Sequence, residues 1–231
     1  MFIHGWGFDL EVWQPQALSM QRRWRVLRFD RRGFGLSTGT PSIASDVGDA
    51  LALFDRLQLA SAVLVGASQG ARVALRVALA APERVRGLVL DAPPDEIGHG
   101  RGALTEEIPL ELCRMLARQG DMASVRRLWA EHRFTRLVRA DPGAAAQLAR
   151  VIARYPGADL LADAAPLAPL GDVRALAVPA LVLNGEHDLP SRIDAGVELA
   201  TVLPAARHEL LAQAGHLANI DDPDAYTAAI E

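Results

Sequence analysis

At 231 residues, half of them apolar, the chain is long enough to bury one large core or a core plus a subdomain. A net charge of −4 with both signs interspersed argues against nucleic acid or a membrane surface as partner, and no apolar run approaches the ~18 residues of a membrane span. The lone Cys113 excludes an intrachain disulfide and a cysteine metal cluster, while the absence of any lysine removes Schiff-base, Ser-Lys and P-loop lysine chemistry.

In chain order, Phe2-Ile3 is a short apolar strand running into His4-Gly5-Trp6-Gly7. Trp24 to Phe29 predicts a second strand, ending in the glycine-punctuated loop Asp30-Arg31-Arg32-Gly33-Phe34-Gly35-Leu36-Ser37. Ser42 or Ser45 can cap a helix with Val47, Leu51 and Phe54 on its apolar face. Ala62 to Val65 reads as a buried strand and Val73, Val77 and Ala80 mark a helix that must end before Pro82. Between them lies Gly66-Ala67-Ser68-Gln69-Gly70, a G-x-S-x-G turn of the kind that exposes a nucleophilic serine at a sheet edge. Gly87 to Leu90 is a further strand, closed by Asp91-Ala92-Pro93-Pro94. Strands alternating with helices at this spacing predict an α/β fold with a mostly parallel, doubly wound sheet and right-handed crossovers.

From Asp95 the strand-like runs stop. Helical stripes replace them: Leu112, Met115 and Leu116, then Val125, Leu128 and Trp129, then Ala146, Ala149 and Ala153, with Pro156-Gly157 and Pro166 to Pro169 punctuating the end. The expectation is an inserted helical cap at 95–171 on a core formed by 1–94 and 172–231. The alternating pattern then resumes with Ala180 to Leu183 (strand), Asn184 to Asp188 (loop), a helix through Gly196, Val197, Leu199 and Ala200, Arg207 to Leu211 (strand), the loop Ala214-Gly215-His216-Leu217 and a last helix after Pro223.

An activated serine needs a base, and the base needs an orienting carboxylate. His216 and Asp188 lie on loops after the last two strands, at the edge where Ser68 would stand, and Ser68, Asp188, His216 is the serine–acid–histidine order of this topology. Asp91, at the end of a neighbouring strand, is second choice for the acid. The oxyanion needs two backbone N–H donors, for which Gln69 and Trp6 are placed. Residues 101–154 carry a net charge of +4 against −8 for the remainder; most of those arginines belong on solvated faces. On one helix Val125, Trp129, His132 and Arg136 fall on the same side at i, i+4, i+7 and i+11 spacing, and Trp129, His132 and Arg136 are expected to roof the pocket and take a substrate carboxylate. His4, His99, His187 and His208 carry less chemistry.

Over nearly its whole length the chain resembles the α/β-hydrolase superfamily. The resemblance rests on His4-Gly5-Trp6-Gly7, Asp30 to Ser37, Gly66 to Gly70, Pro82-Glu83-Arg84-Val85, Gly185-Glu186-His187-Asp188 and Gly215-His216. Phe2 to Gly5, Arg25 to Asp30 and Gly215 to Ile220 are most similar to 3-oxoadipate enol-lactonases and small-ester hydrolases, whereas haloalkane dehalogenases and epoxide hydrolases carry aspartate where Ser68 stands. The resemblance implies a serine hydrolase of a small ester or lactone, working through an acyl-enzyme with no cofactor and no metal. It equally covers carbon–carbon bond hydrolases of ring-cleavage products and perhydrolases, and in a different class ligand sensors that dock a partner protein. Two departures stand out. Gln69 replaces the methionine common in lactonases, and the two strands that usually precede the His-Gly motif are absent. The second departure leaves Trp24–Phe29 as an expected sheet edge and suggests a truncated or misassigned start, or a homo-oligomer covering that edge. With no leader-like n- and h-regions at Met1, a cytoplasmic protein is expected.

Overall fold

The computed structural model describes residues 1–97, 108–139, 141–163 and 167–231. His99, Arg101, Glu106, Glu107 and Pro166 lie outside the described residues. Six parallel strands form one sheet: β1 (Phe2–Ile3), β2 (Arg28–Phe29), β3 (Ala62–Ala67), β4 (Val85–Asp91), β5 (Ala180–Gly185) and β6 (Ala206–Leu211), in the order β2-β1-β3-β4-β5-β6. Among the described residues the helices are α1 (Gln14–Met20), α2 (Ile43–Arg56), α3 (Gln69–Ala80), α4 (Leu110–Arg118), α5 (Met122–Ala130), α6 (Pro142–Ala153), α7 (Ala158–Leu161), α8 (Pro190–Val202), α9 (Ala218–Asp221) and α10 (Pro223–Ile230).

Successive side chains of a strand point to opposite faces, and the central strands are apolar on both. Ile3, Leu64, Leu88, Leu90 and Val182 pack on one face against Phe54 of α2, Val73 and Val77 of α3 and Leu199 of α8. Phe2, Val65, Val89, Leu181 and Leu183 pack on the other, against Met20 of α1 and Tyr226 of α10. That second cluster runs on without a break into Cys113, Val125, Trp129, Leu148, Val151 and Tyr155, so the helices between β4 and β5 share the core of the sheet.

The chain departs from its sequence pattern in three places. The strand expected over Trp24–Phe29 is only Arg28–Phe29, and Trp24 is exposed; β2 is an edge strand, as expected. In α4 the buried residues are Cys113 and Ala117, while Leu112 and Met115 face outward, because apolar residues occupy overlapping stripes of that helix and the small ones let it approach its neighbours. In α6 the alanine stripe is exposed and Leu148, Val151 and Ile152 are buried, as the greater apolar area of the larger side chains dictates.

Candidate active site

β3 and α3 meet at Ser68, whose φ of 51° and ψ of −117° are unusual for a residue with a side chain. The turn is possible only because both flanking glycines are bare. A Cβ on Gly66 would lie 2.3 Å from the Gly70 carbonyl oxygen, and one on Gly70 would lie 2.1 Å from that of Ile3. Ser68 N–H donates to the Asp91 carbonyl at 2.7 Å, which fixes the elbow to the end of β4. The side chain stands at the N-terminus of the twelve-residue α3, where the helix dipole favours negative charge.

Further along the same edge, on the loops after β5 and β6, His216 Nδ1 lies 3.0 Å from each oxygen of Asp188, and both side chains are buried. Asp188 Oδ1 also accepts the Leu189 N–H at 2.7 Å. With Nδ1–H donated to the carboxylate, Nε2 keeps its lone pair, the tautomer a general base needs. The Phe134 ring stacks on the imidazole at 4.0 Å between centroids. The two loops meet closely because Gly185 has no side chain: a Cβ there would be 2.1 Å from the Gly215 carbonyl oxygen. Among the described residues no hydrogen bond joins Ser68 to His216. Asp91 is fully buried, with its carboxyl facing the buried Tyr226 hydroxyl. Burial, then the charge of Asp188, pushes its carboxyl well above the usual carboxylate range. Of the two acids considered, Asp188 is the one that meets the imidazole.

The His4–Gly7 loop lies against the elbow, with Gly5 so placed that a Cβ would sit 3.3 Å from the Ala67 carbonyl oxygen and 3.5 Å from Ser68 Cβ. Neither the Trp6 nor the Gln69 backbone N–H has a hydrogen-bond partner among the described residues. His4 holds the loop from below: its Nδ1 donates to the Gly5 carbonyl at 2.8 Å and its Nε2 accepts the Arg31 N–H at 3.0 Å. Burial and then nearby Arg31 depress its pKa well below the usual range, which keeps it neutral. The Arg31 guanidinium, buried on Asp46 at 2.9 Å, also donates to Gln69 Oε1 at 2.6 Å, so the Gln69 side chain is engaged while its backbone donor stays open.

Trp6 and Gln69 open on a pocket of about 610 Å³ whose far wall comes from the helical segment, through Leu110, Asp159 and Leu160. The four arginines on its wall are engaged by three carboxylates: Arg31 by Asp46, Arg72 and Arg76 together by Glu96, and Arg114 by Glu111. A smaller pocket of about 370 Å³ lies beside Asp188 and His216, bordered by Arg133, Arg136 and His187.

Of the three cap residues expected to bind substrate, Trp129 and His132 stack at 5.5 Å between ring centroids, but the three do not share one helix face. α5 ends at Ala130, His132 caps a 3₁₀ turn at Arg133–Thr135 and Arg136 follows that turn, so no single helix carries them. Trp129 is buried against Trp6 and Phe8; Arg136 borders the smaller pocket only. Sequence reasoning missed two carboxylates. Asp159 on α7 accepts the Trp6 indole N–H at 2.5 Å and the Tyr155 hydroxyl at 2.7 Å. Asp221 on α9 accepts the N–H groups of Gly215, Val138 and Arg139.

The family model for the alpha/beta hydrolase fold matches residues 1–223. The chain belongs to the α/β-hydrolase family. Over its full length it is 25% identical to 3-oxoadipate enol-lactonase 2 of Acinetobacter baylyi, covering 86% of that protein. It is 29% identical to the pimeloyl-[acyl-carrier protein] methyl ester esterase of Pectobacterium carotovorum, covering all of this chain and 91% of that one. The crystal structure of the enol-lactonase from Burkholderia xenovorans LB400 superposes with a TM-score of 0.81 at 29% identity, covering 99% of this chain and 88% of the other. This α/β-hydrolase is thus a hydrolytic enzyme with ester- and lactone-cleaving relatives. Among its described residues no helix is long and apolar enough to cross a membrane.

Proposed function

We propose that this α/β-hydrolase cleaves a small ester or lactone through a covalent acyl-enzyme on Ser68. The observation that carries the reading is a strained, half-buried serine at the same sheet edge as an imidazole already oriented by a carboxylate. When substrate binds, the Ser68 hydroxyl turns onto His216 Nε2, a bond of the kind that often closes only in the complex. Ser68 Oγ attacks the acyl carbon as its proton passes to Nε2. Asp188 stabilises the imidazolium without taking the proton. The backbone N–H groups of Trp6 and Gln69 hold the oxyanion, a contribution on the order of 3 kcal/mol for each such donor. Collapse expels the alcohol, protonated by His216; in a lactone that alcohol stays tethered to the acyl group. His216 then takes a proton from water, the resulting hydroxide attacks the acyl carbon, and the acid leaves with Ser68 restored.

No arginine in the larger pocket stands apart from a carboxylate to receive a substrate anion, which favours an uncharged substrate part there. Every arginine on that wall is engaged by a carboxylate, Arg72 and Arg76 sharing Glu96, and Trp129 and His132 stack on each other. The helices between β4 and β5 act as the cap over this pocket, supported by the Leu110, Asp159 and Leu160 contacts to it. The test is hydrolysis of p-nitrophenyl esters and lactones of several chain lengths by wild type and Ser68→Ala. Loss of at least about 10³-fold in kcat on the best substrate is expected. Equal turnover by both proteins would defeat the proposal.

A further inference from the structure

Asp159 has no ion pair among the described residues; its two oxygens are taken by two neutral donors, the Trp6 indole and the Tyr155 phenol. It comes from the helical segment, 153 residues along the chain from Trp6, and forms part of the wall of the larger pocket beside Trp6 and Gln69. Burial pushes its carboxyl up despite both hydrogen bonds, so placing an acid there is unfavourable in itself. Packing does not call for one. The Trp6 ring already meets Trp129 edge-on at 4.7 Å and Tyr155 at 5.3 Å between centroids, contacts that an apolar residue at 159 would leave in place.

What a carboxylate adds is direction. Trp6 sits between two glycines, and Gly7 takes a left-handed φ of 73°, so the local backbone has little stiffness of its own. The hydrogen bond from Nε1 fixes how the indole is turned, and with it the peptide that carries the Trp6 N–H. We propose that Asp159 is a positioning residue of the oxyanion hole: it anchors the Trp6 indole from across the pocket and so keeps the Trp6 backbone donor aimed at the scissile carbonyl oxygen. This rests on Trp6 being the oxyanion donor, as read above.

The test compares Asp159→Ala, Asp159→Asn, Trp6→Phe and the Trp6→Phe/Asp159→Ala double variant in the full-length protein. Three readouts are taken: kcat and KM on p-nitrophenyl acetate, the rate of inactivation by a p-nitrophenyl phosphonate, and thermal unfolding. Asp159→Ala should lower kcat and the phosphonylation rate about 10- to 100-fold while KM changes less than about threefold, as expected when donor geometry and not binding is lost. Trp6→Phe, which keeps the ring and deletes the N–H, should lose as much. The double variant should lose no more than either single one, since both break the same bond. Asparagine, whose amide oxygen still accepts from the indole, should recover most of the loss. Should Asp159→Ala fail to fold, Trp6→Phe alone decides, and full kcat in that variant overturns the proposal. Multiplicative losses in the double variant, or a rise confined to KM, also overturn it. If the hydrolase reading itself is at fault, Ser68→Ala stays as active as wild type; if only the anchor is, Ser68→Ala is inactive and Asp159→Ala is not.

Discussion

The carboxylate of Asp221 accepts the backbone N–H of Gly215 at 2.7 Å, one residue before the His216 imidazole. Its other oxygen accepts Val138 N–H at 2.7 Å and Arg139 N–H at 3.2 Å, on the segment that leads from the 3₁₀ turn carrying Phe134. One buried side chain therefore joins the candidate base to the segment whose aromatic ring stacks on it. Asp221→Ala should leave these amides without acceptors and destabilise the fold by about 2–4 kcal/mol. For a chain of this size that lowers Tm by roughly 5–12 °C, measurable by calorimetry. Activity should fall further than stability at 25 °C explains, because the loop that presents His216 loses its tie. An unchanged Tm would show that the clamp is idle.

Gly185 offers a perturbation that touches no reacting group. In Gly185→Ala the new methyl carbon would meet the Gly215 carbonyl oxygen at 2.1 Å and that of Ala214 at 2.3 Å, so the His216 loop must retreat from Asp188. Overpacking of this sort costs about 1–3 kcal/mol, and a shift near 1 Å in the base is enough for a loss on the order of 100-fold in kcat. Steady-state kinetics on a variant shown folded by circular dichroism checks it; kcat within a factor of two of wild type would mean the two loops are not held in register there.

Asp91 gives stability a pH dependence of definite sign. Its carboxyl is raised well above the usual range by burial and by Asp188, so the native protein keeps that proton while the unfolded chain releases it near pH 4. Above that point the unfolded state binds fewer protons than the native one. Stability is then lost as pH rises toward the folded value, by at most about 1.4 kcal/mol per unit from this group. Asp91→Asn removes the contribution. Thermal unfolding from pH 5 to 8 should show wild type declining relative to Asp91→Asn, whereas parallel curves would mean Asp91 is ionised in the fold.

Arg136 lies on the smaller pocket and is exposed, away from the wall that Trp6 and Gln69 share. Arg136→Ala should change kcat/KM for anionic and neutral p-nitrophenyl esters by the same factor, within about threefold, as befits an exposed charge. A selective rise of KM for the anionic ester would restore the carboxylate-binding role that the sequence pattern had suggested.

The sheet and its edge were legible because each strand is a short apolar run and each chemical residue follows one. Ser68, Asp188 and His216 inherit their common edge from parallel strand order, which needs no knowledge of side chains. The approach of the His4–Gly7 loop to the elbow was legible for a similar reason, through glycines that let backbone approach backbone. Asp159 and Asp221 were not. Each is an acceptor for amides or an indole from distant parts of the chain, and a lone carboxylate on a four-residue helix leaves no periodic trace. The cap stripe failed because spacing at i, i+4 and i+7 means a shared face only while the helix continues, and α5 stops one residue before Glu131. Periodicity also misjudged which faces of α4 and α6 turn inward, since the partners that select a face lie elsewhere in the sequence.

Whether Ser68 forms a covalent acyl-type adduct under the control of His216 is tested most directly by intact-protein and peptide mass spectrometry after exposure to diisopropyl fluorophosphate. A single adduct is expected on the peptide containing Ser68 in wild type, with labelling slowed at least about 10³-fold in His216→Ala. An unlabelled Ser68 in a protein that hydrolyses esters, or labelling that ignores the loss of His216, would contradict the account.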